Sequence, residues 1–345
     1  MHKTLQHSLI AATLMASAFS AQAETITLKV HHFLGPQSIQ HTTMIGDWCK
    51  NIERDSKGRL NCQIYPAMQL GGSPPQLFDQ AKDGIADVVW TVAGYSGTRF
   101  SRIQVFELPF MMTNAEATSR AAWDFAQKYA TDEFKDVKLL AVHVHGPGII
   151  FTREAPITTL ADFKGKKLRG PTAQITKMLK NLGATPVPMP VPAVPEALSK
   201  GVIDGAVIPY EVAPGLRVQE LTNFTSEPDP SYNALYTTVF VVPMNKAKYD
   251  SLPADLQAVI DQNSGREYSA FLGKTQAGND APSKKKFEAA PNQKITIIPA
   301  SELKKWDAAT ADLSAGWVDD MGKRGYKNGQ EMLEAARSMI MANTK

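Results

Sequence analysis

Polar and apolar residues alternate over residues 25–32, with Ile26, Leu28 and Val30 set against Thr25, Thr27 and Lys29, and this period of two predicts a half-buried strand. Over 38–55 the spacing changes: Met44, Ile45, Trp48 and Ile52 recur at helical intervals and predict a helix. Residues 59–65 return to a period of two. Residues 86–92 are almost continuously apolar, the pattern of a central parallel strand covered on both faces. A helix is predicted over 114–129, with Trp123 and Phe125 as anchors. Strands follow at 137–145 and 149–152, divided by Gly146-Pro147-Gly148.

The same alternation is densest over residues 162–209. A turn at 163–165 leads into a short strand at 166–169, which Gly170-Pro171 ends. A helix carrying Ile175, Met178, Leu179 and Leu182 comes next, then a strand at 185–189, a helix at 194–199 and a strand at 204–208. Further on, 210–221 reads as helical despite Pro214 and Gly215, and 235–242 as a strand. Residues 253–286 read as a long helical stretch running along both lobes. The chain closes with a strand at 295–298 and helices at 301–321 and 328–341. Strands alternating with helices define an α/β fold with mixed, mostly parallel sheets flanked by helices, in which ligands gather at the carboxyl ends of the strands.

At 345 residues the chain exceeds what one hydrophobic core usually serves, which favours two lobes. The Gly146-Pro147-Gly148 break marks the crossing. It divides the chain into residues 24–147 plus 240–275 as one lobe and 148–239 plus 276–345 as the other. Residues 1–23 stand apart: Lys3, an apolar run over 9–19 and Ala21-Gln22-Ala23 form an export signal that ends before Glu24. The net charge of +3, with mixed signs along the chain, gives no reason to expect nucleic acid as a partner. Cys49 falls on a predicted helix and Cys62 on the next strand; a disulfide and two buried thiols both satisfy that pattern. His31-His32 and His143-x-His145 lack a third ligand at metal-binding spacing, so no metal or cofactor is expected.

Several stretches together resemble one family. They are Phe163-Lys164-Gly165-Lys166-Lys167-Leu168-Arg169-Gly170-Pro171, Gly183-Ala184-Thr185-Pro186, Ile203-Asp204-Gly205, Lys82-Asp83-Gly84, Glu107-Leu108-Pro109-Phe110 and Leu252-Pro253-Ala254-Asp255-Leu256-Gln257. In order and spacing they resemble the solute-binding proteins of tripartite ATP-independent periplasmic (TRAP) transporters, the C4-dicarboxylate-binding, DctP-like family. The resemblance implies a two-lobed periplasmic binding protein of type II-like fold, monomeric, that closes by hinge motion on a small organic acid and delivers it to the transporter's membrane subunits. It also implies that Arg169 grips the ligand carboxylate, because a guanidinium is always charged and offers a planar fork of donors.

Two departures from the family sharpen the expected ligand. Val92 and Ile208 stand where members that bind polyhydroxylated acids place polar side chains, and the second arginine of some members is replaced within 146–150. A pocket short of donors leaves hydroxyl groups unpaired, at about 1–3 kcal/mol each. An aromatic or branched monocarboxylate therefore fits better than a sugar acid or a dicarboxylate. Phe33, Trp90 and Tyr95 are expected at the lobe interface, His32 and His145 as polar lining, and Glu211 beside the ligand. Two alternatives remain open at this stage. One is a periplasmic hydrolase or lyase using Glu211 with His32 or His145; the other is a chemosensory binding protein with the same cleft.

Overall fold

The computed structural model describes residues 25–344; the export signal assigned to residues 1–23 lies outside the described residues. The strands are β1 (Ile26–His32), β2 (Leu60–Tyr65), β3 (Val88–Val92), β4 (Val137–Val144), β5 (Gly148–Thr152), β6 (Lys167–Gly170), β7 (Thr185–Pro188), β8 (Gly205–Pro209), β9 (Phe224–Pro228), β10 (Val239–Asn245) and β11 (Lys294–Ile298). They form two sheets, ordered β2-β1-β3-β10-β4 and β11-β9-β5-β8-β6-β7. Helices cover both faces of each sheet, and two apolar layers run from one lobe into the other. One layer contains Phe106, Phe125, Ile175 and Trp306; the other contains Trp48, Phe151, Leu198 and Phe287.

Each sheet holds one reversed strand. β10 runs antiparallel to β3 and β4, and β5 antiparallel to β8 and β9, while the other pairings are parallel. The reversed strands are the ones that have just crossed between lobes. β4 ends at the junction, and only residues 145–147 separate it from β5. So short a link delivers β5 into the second sheet at the junction, pointing away from it. β10 enters the first sheet in the same way. The junction is therefore lined by carboxyl ends of parallel strands and by amino ends of crossing strands.

Cys49, on the helix Gly46–Asp55, is bonded to Cys62 of β2 with a Cα–Cα distance of 5.7 Å, which settles the two readings of the cysteines in favour of the disulfide.

Several predicted elements differ, among them 301–321, which is two helices, Ala300–Thr310 and Asp312–Lys323. The stretch 253–286 is three helices, Ala254–Gln262, Arg266–Gly278 and Asp280–Glu288, because Gly265 takes a φ of 87° and Asn279 interrupts the second joint. Its course along both lobes remains. Ser269 bonds the backbone of β4 in the first lobe, and Phe287 packs on Phe151 and Tyr210 in the second. Over 210–221 only Val218–Leu221 is α-helical; Pro214 has no N–H to give, and Arg217 turns left-handed at φ 58°. The strand expected at 235–242 begins only at Val239. Before it, the carbonyls of Leu235 and Tyr236 accept from Phe110 N–H and Gly148 N–H rather than from a ladder. The last helix, Gly329–Asn343, was assigned to the second lobe but packs on Ala115–Tyr129 of the first, with Tyr129 Oη donating to Glu331. Its buried face of Met332, Leu333, Ala336 and Ile340 fits the alanine-rich surface of that helix.

Candidate functional site

A cavity of ≈ 40 Å³ lies at the lobe junction. From the first lobe, the turn after β1 brings Phe33, the helical segment Gln40–Ile45 brings Gln40, β3 brings Trp90 and Val92, and the next turn brings Tyr95. From the second lobe, β6 brings Arg169 and β8 brings Ile208. The crossing segments add His145, Tyr236, Thr238 and Phe240, and the helix Arg266–Gly278 adds Gln276.

Arg169 is 2% exposed. Its Nε donates to the Met189 carbonyl (2.9 Å), Nη1 to the Val207 carbonyl (3.1 Å) and Nη2 to the Tyr95 hydroxyl (3.4 Å). All three acceptors are uncharged, and no ion pair among the described residues includes Arg169. The comparably buried Arg102 is different: Asp132 lies 2.7 Å away and Glu133 3.3 Å. A buried cation without a counter-ion is costly unless an anion reaches it. The three bonds hold the fork rigid and leave further N–H groups for such an anion.

Most of the rest of the wall is aromatic and aliphatic. Trp90 is stacked on Phe240 at 4.7 Å between ring centroids, and Phe33 lies 5.0 Å from Trp90. Trp90 Nε1 is turned away from the cavity, donating to His143 Nε2 at 2.9 Å. Burial holds His143 at a pKa of about 3 and His145 at about 4, so both are neutral rings. His145 spends Nδ1 on the Gly146 carbonyl and Nε2 on the Thr238 hydroxyl.

Seven of the nine residues expected at the site line the cavity: Arg169, Trp90, Phe33, Tyr95, His145, Val92 and Ile208. His32 and Glu211 do not. His32 faces back into the first lobe, its Nε2 3.0 Å from His41 Nδ1. Glu211 lies behind the wall, accepting from Gln40 Nε2 (2.8 Å) and Gln276 Nε2 (3.1 Å). No acid–base pair of Glu211 with either histidine therefore faces the cavity. Tyr236, Thr238, Phe240, Gln40 and Gln276 were not anticipated. Attention to carboxyl strand ends passes over the amino end of β10, and a glutamine inside a helix carries no sequence signal. Among the described residues, no group of three or more His, Cys, Asp or Glu side chains is arranged to hold a metal ion.

Two carboxyl groups, Glu107 and Glu211, are buried at the junction, and a third, Asp280, is half-buried beside them. Glu107 accepts from Thr172 Oγ1 of the second lobe (2.7 Å) and Val239 N–H (3.0 Å), and burial raises its pKa to about 7. Burial likewise raises Glu211 to about 7 and Asp280 to about 8. These groups keep protons in the folded state that the unfolded chain loses near pH 4, so their contribution declines from about pH 4 upward, with roughly 3 kcal/mol of the loss falling between about 6.5 and 8.5. The buried histidines act with the opposite sign over an overlapping window. His32, His143 and His145 have lowered pKa values, so below about 6.5 the unfolded chain takes up protons that the folded state refuses. Between about pH 4.5 and 6.5 the two contributions oppose each other, so melting curves are expected to be nearly level there, to fall as pH rises toward 8.5 and to fall again below about 4.5. A melting temperature that rises steadily from pH 6.5 to 8.5 contradicts this.

A deep cleft between two α/β lobes, walled by aromatic rings and holding one buried, unpaired arginine, defines a solute receptor of the periplasmic binding-protein type. Residues 30–318 match bacterial extracellular solute-binding protein family 7, and the chain belongs to that family. A TRAP solute-binding protein from Rhodoferax ferrireducens, solved in complex with copurified benzoate, is 52% identical with a TM-score of 0.91, covering 92% of this chain and 98% of its own. A marine metagenome TRAP solute-binding protein specific for aromatic acid ligands, solved with 3-hydroxybenzoate, is 42% identical with a TM-score of 0.90, covering 93% and 100%. The outer membrane transporter protein TsaT of Comamonas testosteroni is 26% identical over 336 residues, 96% of this chain and 97% of its own. No helix among the described residues is long and apolar enough to cross a membrane.

Proposed function

We propose that this protein captures a small aromatic monocarboxylate in the periplasm and delivers it unchanged to the membrane subunits of a TRAP transporter. The observation that carries the reading is Arg169: a guanidinium 2% exposed, bonded only to neutral oxygens, in the wall of an otherwise largely apolar cavity. The ligand carboxylate pairs with the free edge of the fork and accepts further bonds from tyrosine hydroxyls. The aromatic body lies among Phe33, Trp90 and Phe240, with Val92 and Ile208 closing the sides. Binding by the benzoate-bound and 3-hydroxybenzoate-bound relatives supports the same ligand class. The protein performs no chemistry on its ligand, since the histidine that faces the cavity is committed to Gly146 and Thr238.

A thermal-shift series with benzoate, mandelate, succinate and glucuronate tests this. At a free ligand concentration of 100 Kd a bound acid adds about 2.7 kcal/mol, a readily visible shift. The aromatic acids are expected to stabilise the protein and to be recovered unaltered. Stabilisation by glucuronate or succinate alone, or conversion of the acid, overturns the proposal.

A further inference from the structure

The polar atoms of the cavity are divided by type. Around Arg169 they are donors. Tyr95 Oη already accepts from Val191 N–H (2.9 Å) and Arg169 Nη2, so its own hydrogen is free. Tyr236 Oη is buried with no partner among the described residues. Arg169 is held by Met189, Val207 and Tyr95, whereas Gln40 and Gln276 are held by Glu211, whose own N–H donates to Asp280 Oδ1, so the two glutamines belong to a separate hydrogen-bonded group from the guanidinium.

In that second group the free atoms are acceptors. Gln40 is 0% and Gln276 2% exposed, and both line the cavity. Their Nε2 atoms donate to the two oxygens of Glu211, at 2.8 and 3.1 Å. An ionised carboxylate only accepts, so it dictates which arm of each amide faces it. Both Oε1 atoms are thereby turned from Glu211, and neither has a partner among the described residues.

We propose that the cavity selects, among the acids anchored by Arg169, those bearing a hydrogen-bond donor remote from the carboxylate, a phenolic hydroxyl or an amino group, received by the side-chain oxygens of Gln40 and Gln276. This rests on the reading of Arg169 as the carboxylate anchor. A ligand without a donor leaves two buried carbonyl oxygens unpaired, and sites built around a substrate hydroxyl reject the analogue that lacks it. Glu211 is the positioning residue, since it holds both amides by their nitrogens.

Calorimetric titration at pH 8.5, where Glu211 is ionised, compares benzoate and 3-fluorobenzoate with 3-hydroxybenzoate, 4-hydroxybenzoate and 3-aminobenzoate, in wild type, Gln40→Met and Gln276→Met. At least one donor-bearing acid is expected to bind wild type tenfold or more tightly than both benzoate and 3-fluorobenzoate. That ratio is expected to fall toward one in the variants. The aminobenzoate and hydroxybenzoate arms show which donor is preferred. Benzoate within threefold of every donor-bearing acid, or a preference that survives in both variants, overturns the inference, and the wild-type comparison decides even where a variant fails to fold. Failure of the underlying reading looks different: no benzoate of any kind binds, or all bind independently of Arg169.

Discussion

Arg169→Ala is expected to weaken binding of an aromatic acid by about 2–5 kcal/mol, a loss of some 30-fold to several thousandfold. The carboxylate loses its hydration on entering the junction, and no second cation among the cavity-lining residues replaces the guanidinium. Arg169→Lys keeps the charge but not the fork. It also cannot reproduce the bonds to Met189, Val207 and Tyr95 that hold the side chain in place, so it is expected to fall between the alanine variant and wild type. In the ligand-free protein Arg169→Ala removes an unpaired buried cation. The apo melting temperature is therefore expected to drop little, if at all. Calorimetry with benzoate and apo melting curves of the three proteins separate these effects. Affinity unchanged in Arg169→Ala removes Arg169 from the site.

Gly94→Ala is expected to weaken ligand binding by about 1–3 kcal/mol while leaving each lobe folded. Gly94 follows β3 in the first lobe and meets Thr172 of the second. A Cβ built on Gly94 falls 2.5 Å from Thr172 Cγ2 and 2.8 Å from Thr172 Cβ. Thr172 has little room to yield, because its hydroxyl donates to Glu107 at 2.7 Å. Opening the cleft relieves the clash and closing it restores the clash, so the methyl group acts on closure rather than on folding. Small-angle scattering with and without benzoate is expected to show a more open ligand-bound state than in wild type. Wild-type affinity together with full closure in Gly94→Ala contradicts the closed arrangement of Tyr95, Thr172 and Arg169 described above.

Much of this was legible in one dimension, for a local reason. Strand and helix periods report which face of an element is buried. The continuous apolar run that becomes β3 and the alternation in β1 therefore identified their elements without tertiary information. The place of Arg169 in the cavity wall was legible because a short strand ended by Gly170-Pro171 marks a carboxyl edge, and because its surroundings resemble a known family. The apolar character of the pocket was likewise readable from Val92 and Ile208.

What the sequence could not decide was anything set by the direction of a crossing or by a distant partner. Tyr236 and Thr238 reach the cavity because β10 enters its sheet from the junction, a consequence of strand order that no local pattern encodes. Glu211 was expected beside the ligand but stands behind the cavity wall. Its partners, Gln40 and Gln276, lie 171 and 65 residues away in the chain, and only folding brings their amides to its carboxylate. The last helix was misplaced for the same reason: its apolar stripe determines that it must pack, while the surface it finds, on Ala115–Tyr129, exists only in three dimensions.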